Sequence, residues 1–228
     1  MRPPRLQPAL RALFRLQPGE GVRAGLMLVY SIAVIGGVVI TGQLVSRSLF
    51  LSGLPASAIP YKFILPPVAL LLATGLYARI APRFRRDHLI VGTCAVMLAV
   101  TAGFRLLLAT PGGHSFAALC ALFVAFDVIG DLAALQFWTF AGDIFNPREA
   151  RRLFGLITGG STVSNLIFGL GLSASAGLVR PENLMFVMAA GLTVCAACAG
   201  SLGRRHRDEL AEIAAEGADA QPAAERGW

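Results

Sequence analysis

The chain has 228 residues, of which 55% are hydrophobic and only 14% charged, and its mean hydropathy is +0.66. Soluble domains carry about 25% charged residues, so this composition excludes an ordinary soluble fold and indicates a polytopic α-helical membrane protein. The net charge of +7 does not mark a nucleic-acid binder, because the arginines cluster in the gaps between apolar runs.

Residues 1–22 place Arg2, Arg5, Arg11 and Arg15 beside Leu6, Leu10 and Leu13 at helical spacing, the pattern of an amphipathic piece on an anionic leaflet. The uncharged run that follows, Ala24 to Ser46, is too long for the roughly 7–15 residue core of a signal peptide and is expected to be a retained first span. Five more spans are expected in a bundle over residues 23–203, each needing about 20 residues to cross about 30 Å of hydrocarbon. They are Ser57 to Ala78, His88 to Thr110, Ser115 to Asp143, Ala150 to Val179 and Asn183 to Gly203. Pro60, Pro66 and Pro67 predict an irregular or kinked first half of span two. Turns are marked by Pro111-Gly112-Gly113 and by Arg180-Pro181. Residues 204–228 read as a cytoplasmic tail that starts as a surface helix and decays into Ala, Glu, Gln and Pro, partly disordered.

Orientation follows the Lys/Arg bias of the connecting segments. One side receives Arg2 to Arg23, Arg79 to Arg86, Arg148 to Arg152 and Arg204 to Arg207, whereas the other receives Arg47, Lys62 and Arg180. Both termini are therefore expected on the cytoplasmic side of the membrane. Cys94, Cys120, Cys195 and Cys198 all lie in apolar runs, where cysteine packs as a small hydrophobe. Gly155 to Thr162 lacks the lysine of a phosphate-binding loop, and no nucleophile-base or metal-ligand constellation stands at workable spacing, so neither an enzyme nor a cofactor or metal site is expected.

Asp127 and Asp131 sit in the middle of span four, and their i, i+4 spacing puts both on one helical face. A charge at that depth costs several kcal/mol unless it faces water or a cation, so intramembrane acids are functional candidates; pinning helices together through a salt bridge is the structural alternative. Arg47, Lys62 and Arg105 are the cations available near the outward end. Guanidinium binds phosphate or carboxylate bidentately, so convergent cations would suit an anionic solute; snorkelling to the interface is the plainer role for each. Gln43, Gln136 and Asn165 add uncharged hydrogen-bonding groups that could also simply bridge helices. The small residues Gly155, Gly159, Ser161, Ser164, Gly169 and Ser173 of span five are expected to permit close helix packing.

Several stretches resemble a known family. Gln17-Pro18-Gly19-Glu20, Arg47 to Ser52 with Ile59-Pro60-Tyr61, and above all Phe137-Trp138 through Asp143, Arg148 to Phe154 and Gly159-Gly160-Ser161 are similar to the amino-terminal half of the nucleotide-transporter (ATP/ADP translocase) family, of major facilitator fold. The loop from Gly75 to Arg86 resembles the G-x-x-x-D-R-x-G-R-R loop of that superfamily, with Arg79 in the acidic place and Pro82 in the second glycine's place. Ser48 and Gly142 depart from the family's common Asp and Asn. The resemblance implies six helices forming half of a bundle with 3+3 inverted repeats, a lysine early in span two and an acid in span four as site residues, for which Lys62 and Asp127 are the nearest matches. It further implies alternating-access transport of an anionic, nucleotide-like solute, and a second six-helix half or a homodimer to complete a midplane site. The alternatives are a non-transporting membrane anchor or interaction module and an inactive half-transporter.

Overall fold

The computed structural model describes residues 20–53, 59–145, 147–174 and 178–220. The described residues form six long helices and no strand. The first, α1, runs through Glu20–Ile32, a π-helical stretch Ala33–Ile40, and Thr41–Gly53. There follow α2 (Ile59–Ile80), α3 (Arg86–Leu108), α4 (Phe116–Ile144), α5 (Pro147–Ala174) and α6 (Met185–Ala220). Five of these contain a stretch long and apolar enough to cross a bilayer. The remaining one, α5, is 28 residues long, about 42 Å at 1.5 Å per residue, but its apolar content is diluted by Gly, Ser, Thr and Asn.

Helix ends follow local chemistry. Ser115 caps α4, its hydroxyl accepting the Ala118 N–H at 3.4 Å, which supplies one of the orphan donors of a first turn. Pro181 opens the short 3₁₀ turn Pro181–Leu184 that leads into α6, a position where the missing N–H is harmless. Span two, α2, is helical throughout Ile59–Ile80 with Pro66 and Pro67 inside it; membrane helices tolerate proline where neighbouring groups re-satisfy the freed carbonyls. The helix expected after Arg204 is present as a continuation of the last span, α6 running to Ala220. The amphipathic segment expected over residues 1–22 lies almost wholly outside the described residues, as does the end of the tail.

Packing places α1 at the hub, in contact with α4, α5 and α6, while α2 packs on α4 and α3 joins α4 to α6. The front is therefore a row α5–α1–α4–α2, with α6 and α3 behind it. Where α1 crosses α6, Gly37 meets Gly191 backbone to backbone. On the side of α5, Ser31 and Ser161 share a hydroxyl hydrogen bond of 2.8 Å, and Ser164 donates to the Ile32 carbonyl at 3.1 Å. Arg23 donates to the Ile144 carbonyl at 3.0 Å, satisfying the end of α4 from the start of α1. At the other end of the bundle His114 pairs with Glu182 at 3.4 Å, tying the α3–α4 turn to the α5–α6 turn. Aromatic packing fills the half nearer the termini: Tyr30 stands edge-on to Phe137 at 5.1 Å, and the chain of rings continues through Trp138 to Phe154.

Candidate functional site

Burial along α4 separates its two sides. Phe126, Ile129, Ala133, Phe137 and Phe140 are buried against neighbouring helices, whereas Asp131, Leu135, Trp138 and Gly142 recur at helical spacing on the exposed side. Asp131 is thus on the open front of the bundle. Asp127, one turn away, is half-buried at the edge of the same face, with Oδ1 enclosed by protein. From the start of α4 the two carboxylates lie about 17 and 23 Å along a helix about 43 Å long, close to its middle.

The open side of α1 lies next to that of α4. Phe50 of α1 contacts Phe123 of α4 at 5.0 Å, and Gly42 faces Met188 and the Phe126 carbonyl. The side of α1 turned away from these contacts carries Leu44, Arg47 and Leu51, all exposed, with Gln43 half-buried one turn before Arg47. Lys62 falls in the first turn of α2, the far end of the front row; its side chain is outside the described ones.

On α5 the sequence is split three ways. Ile157, Gly160, Ser164 and Leu172 are buried toward α1. Val163, Leu166, Ile167 and Leu170 form an exposed apolar stripe suited to lipid. Between the two runs a second exposed stripe, Thr158, Thr162, Asn165, Gly169 and Ser173, at i, i+3/i+4 spacing. Polar groups in a span turn to a cavity or to protein in preference to lipid. Thr158 and Thr162 were missed in the sequence, where only an angular projection of α5 would have separated them from the lipid-facing residues. The close-packing expectation for this helix holds for Ser161 and Ser164. It does not hold for Gly155, Gly159 and Gly169, where an added Cβ would meet nothing within 4 Å.

Two expected members leave the group. Gln136 is 2% exposed and sits on the opposite side of α4 from Asp131, where its Oε1 accepts from Thr93 of α3 at 3.0 Å. It bridges helices, the plainer of the two roles open to an intramembrane amide. Arg105 is turned to the back of the bundle. Phe104 engages Phe126 of α4 at 6.0 Å, and the next residue, about 100° further round the helix, consequently faces α6, where the guanidinium lies 5.6 Å from the Phe186 ring centre. Gln43, Arg47, Asp127, Asp131 and Asn165 thus lie on sides of α1, α4 and α5 that are not fully packed against neighbouring helices, whereas Gln136 is buried against α3 and Arg105 faces α6.

No three His, Cys, Asp or Glu side chains among the described residues are placed to hold a metal ion. Cys94, Cys195 and Cys198 are buried free thiols between α3 and α6, and Cys120 is a half-buried free thiol. Fold and composition together define an all-helical membrane protein. No protein-family model, curated protein or solved structure matches this chain.

Proposed function

We propose that this bundle is one half of a secondary carrier for an anionic solute, nucleotide-like by the resemblance of its fourth and fifth spans, working by alternating access against a second six-helix unit. The reading is supported by α1, α4 and α5 each carrying intramembrane polar residues on a side not fully packed against neighbours, with the apolar stripe of α5 on a separate side. Arg47 is the cation there for solute charge, and Asp127 at mid-depth is the coupling or orienting group. Packing lends support to a 3+3 arrangement. The contacts of α1 with α5 and α6 have counterparts in those of α4 with α2 and α3, so exchanging α1–α3 with α4–α6 maps the principal contacts onto themselves. An inverted repeat has that property, and its substrate site lies at the midplane between repeats or bundles.

Two measurements test the proposal. In a background with the four cysteines replaced, Asp131→Cys, Thr162→Cys and Asn165→Cys in vesicles are expected to react with a membrane-impermeant thiosulfonate roughly tenfold or more faster than Leu166→Cys and Leu170→Cys, because thiolate forms in water and not in lipid. Equally slow reaction at all five positions would mean a face covered by lipid or by a permanent partner, leaving only an anchor or interaction module. In liposomes holding the bundle with its second unit, Asp127→Asn is expected to reduce exchange of labelled ATP and ADP by roughly tenfold or more, a barrier increase of about 1.4 kcal/mol. Unchanged exchange removes Asp127 from the mechanism.

A further inference from the structure

A crevice of about 470 Å³ opens between α3 and α6 at the back of the bundle, lined by Thr101, Ala102, Arg105, Leu106, Phe186 and Ala189 among others. Its volume is within the range of small-molecule sites, about 300–1,000 Å³. All of its lining is apolar or uncharged except Arg105. That arginine lies about 5 Å inside the end of α3 at Leu108, counting 1.5 Å per residue, which keeps it away from the acyl midplane and brings its guanidinium within reach of the headgroup region. A snorkelling arginine stretches past the helix end to water. Arg105 instead is held over the Phe186 ring, half-buried, and its Nε is enclosed with no hydrogen-bond acceptor among the described residues. The crevice rim is built from exposed Leu106 and Phe186, at 72% and 64% exposure, on a face that packing leaves uncovered.

We propose that this crevice is a binding site for a single glycerophospholipid, its phosphodiester accepting hydrogen bonds from the Arg105 guanidinium and an acyl chain lying along Ala102, Leu106 and Ala189. Charge complementarity selects the headgroup, because a guanidinium at an apolar interface prefers a bidentate anionic oxygen pair. The small side chains Ala102 and Ala189 leave the trough that a chain fills. Basic pockets between spans are one means by which membrane proteins hold phospholipid headgroups. The site is independent of the carrier reading, since α3 and α6 stand behind the open face.

The full chain in detergent, titrated with phosphatidylglycerol and released from the micelle for native mass spectrometry, tests the assignment. A one-lipid adduct is expected for the wild type, reduced roughly tenfold in apparent affinity in Arg105→Gln, and reduced as strongly in Ala102→Leu, which fills the trough and leaves the charge in place. Matched diacylglycerol should give no comparable adduct, and millimolar inorganic phosphate should not displace the lipid. Equal retention by both variants overturns the site. Equal binding of diacylglycerol reduces it to a greasy groove, and displacement by inorganic phosphate makes it a free-anion site; either overturns the lipid assignment. Should Arg105→Gln not yield folded protein, Ala102→Leu, an exposed position, decides the question alone.

Discussion

Gly37→Ala is expected to lower stability by about 1–3 kcal/mol, and Gly37→Leu to prevent recovery of folded protein. A Cβ placed on Gly37 would stand 2.9 Å from the Gly191 Cα, and one placed on Gly191 would stand 2.9 Å from the Gly37 carbonyl carbon and 3.0 Å from its Cα. Both obstacles are main chain, so no rotamer change can relieve them, and α1 must move away from α6. Helix propensity opposes this loss, since Gly→Ala in a helix interior gains about 1 kcal/mol. The contact with backbone outweighs that gain because parting the hub helix from α6 also strips neighbouring side chains of dispersion contacts, the main source of cohesion between helices in lipid. Thermal unfolding in detergent followed with a thiol-reactive fluorophore checks the result, with the buried Cys94, Cys195 and Cys198 as internal reporters. Gly103→Ala is the control, because nothing lies within 4 Å of a Cβ there. A Gly37→Ala protein that melts with the wild type would show that the two helices are not in backbone contact.

Phe137→Ala is the second large effect, at about 3 kcal/mol. The ring is 0% exposed and is met edge-on by Tyr30 from α1 and by its own neighbour Trp138, which in turn stands edge-on to Phe154 of α5. Phe→Ala in soluble cores costs about 3–5 kcal/mol. The lower end applies here because the unfolded reference in a membrane is already out of water, so what is lost is packing and the cavity term. Trp138→Ala, at a residue 40% exposed, should cost about 1 kcal/mol, the worth of an aromatic pair. The same thiol-exposure assay compares them, and equal losses would contradict the central position of Phe137.

Much of this architecture is legible from the sequence because the bilayer sets a minimum length for every crossing element. The five strongly apolar helices, the order of the elements and the position of Asp127 and Asp131 near the middle of α4 follow from that constraint. Rotational phase is not legible in the same way. Arg105 and Asp127 occupy spans three and four with nothing in composition to separate them, yet Phe104 takes the contact with α4 and turns its neighbour to α6. Gln136 and Asp131 lie on one helix but on opposite sides of it, and only the burial of Phe126, Phe137 and Phe140 reveals which is which. Small residues mislead for a related reason. Span five is the richest in them, but the backbone-to-backbone glycine contact between helices is that of Gly37 and Gly191, because such an approach depends on where helix axes cross and not on how many glycines a helix holds.

The π-helical stretch Ala33–Ile40 lies midway along the hub helix, and the Thr41 hydroxyl donates to the Gly36 carbonyl at 2.8 Å, closing the wide turn from its far end. Each residue that a π turn holds in excess of α register advances everything beyond it by about 100°. That offset acts as a clutch plate between the two ends of α1. Val29 and Arg23 are indexed to one half of the rod, Gln43 and Arg47 to the other, and which way the latter two look is fixed by the number of residues stored in the wide turn. Tightening it to an ordinary α turn would swing Arg47 about a quarter of a revolution while the Tyr30 end stayed put.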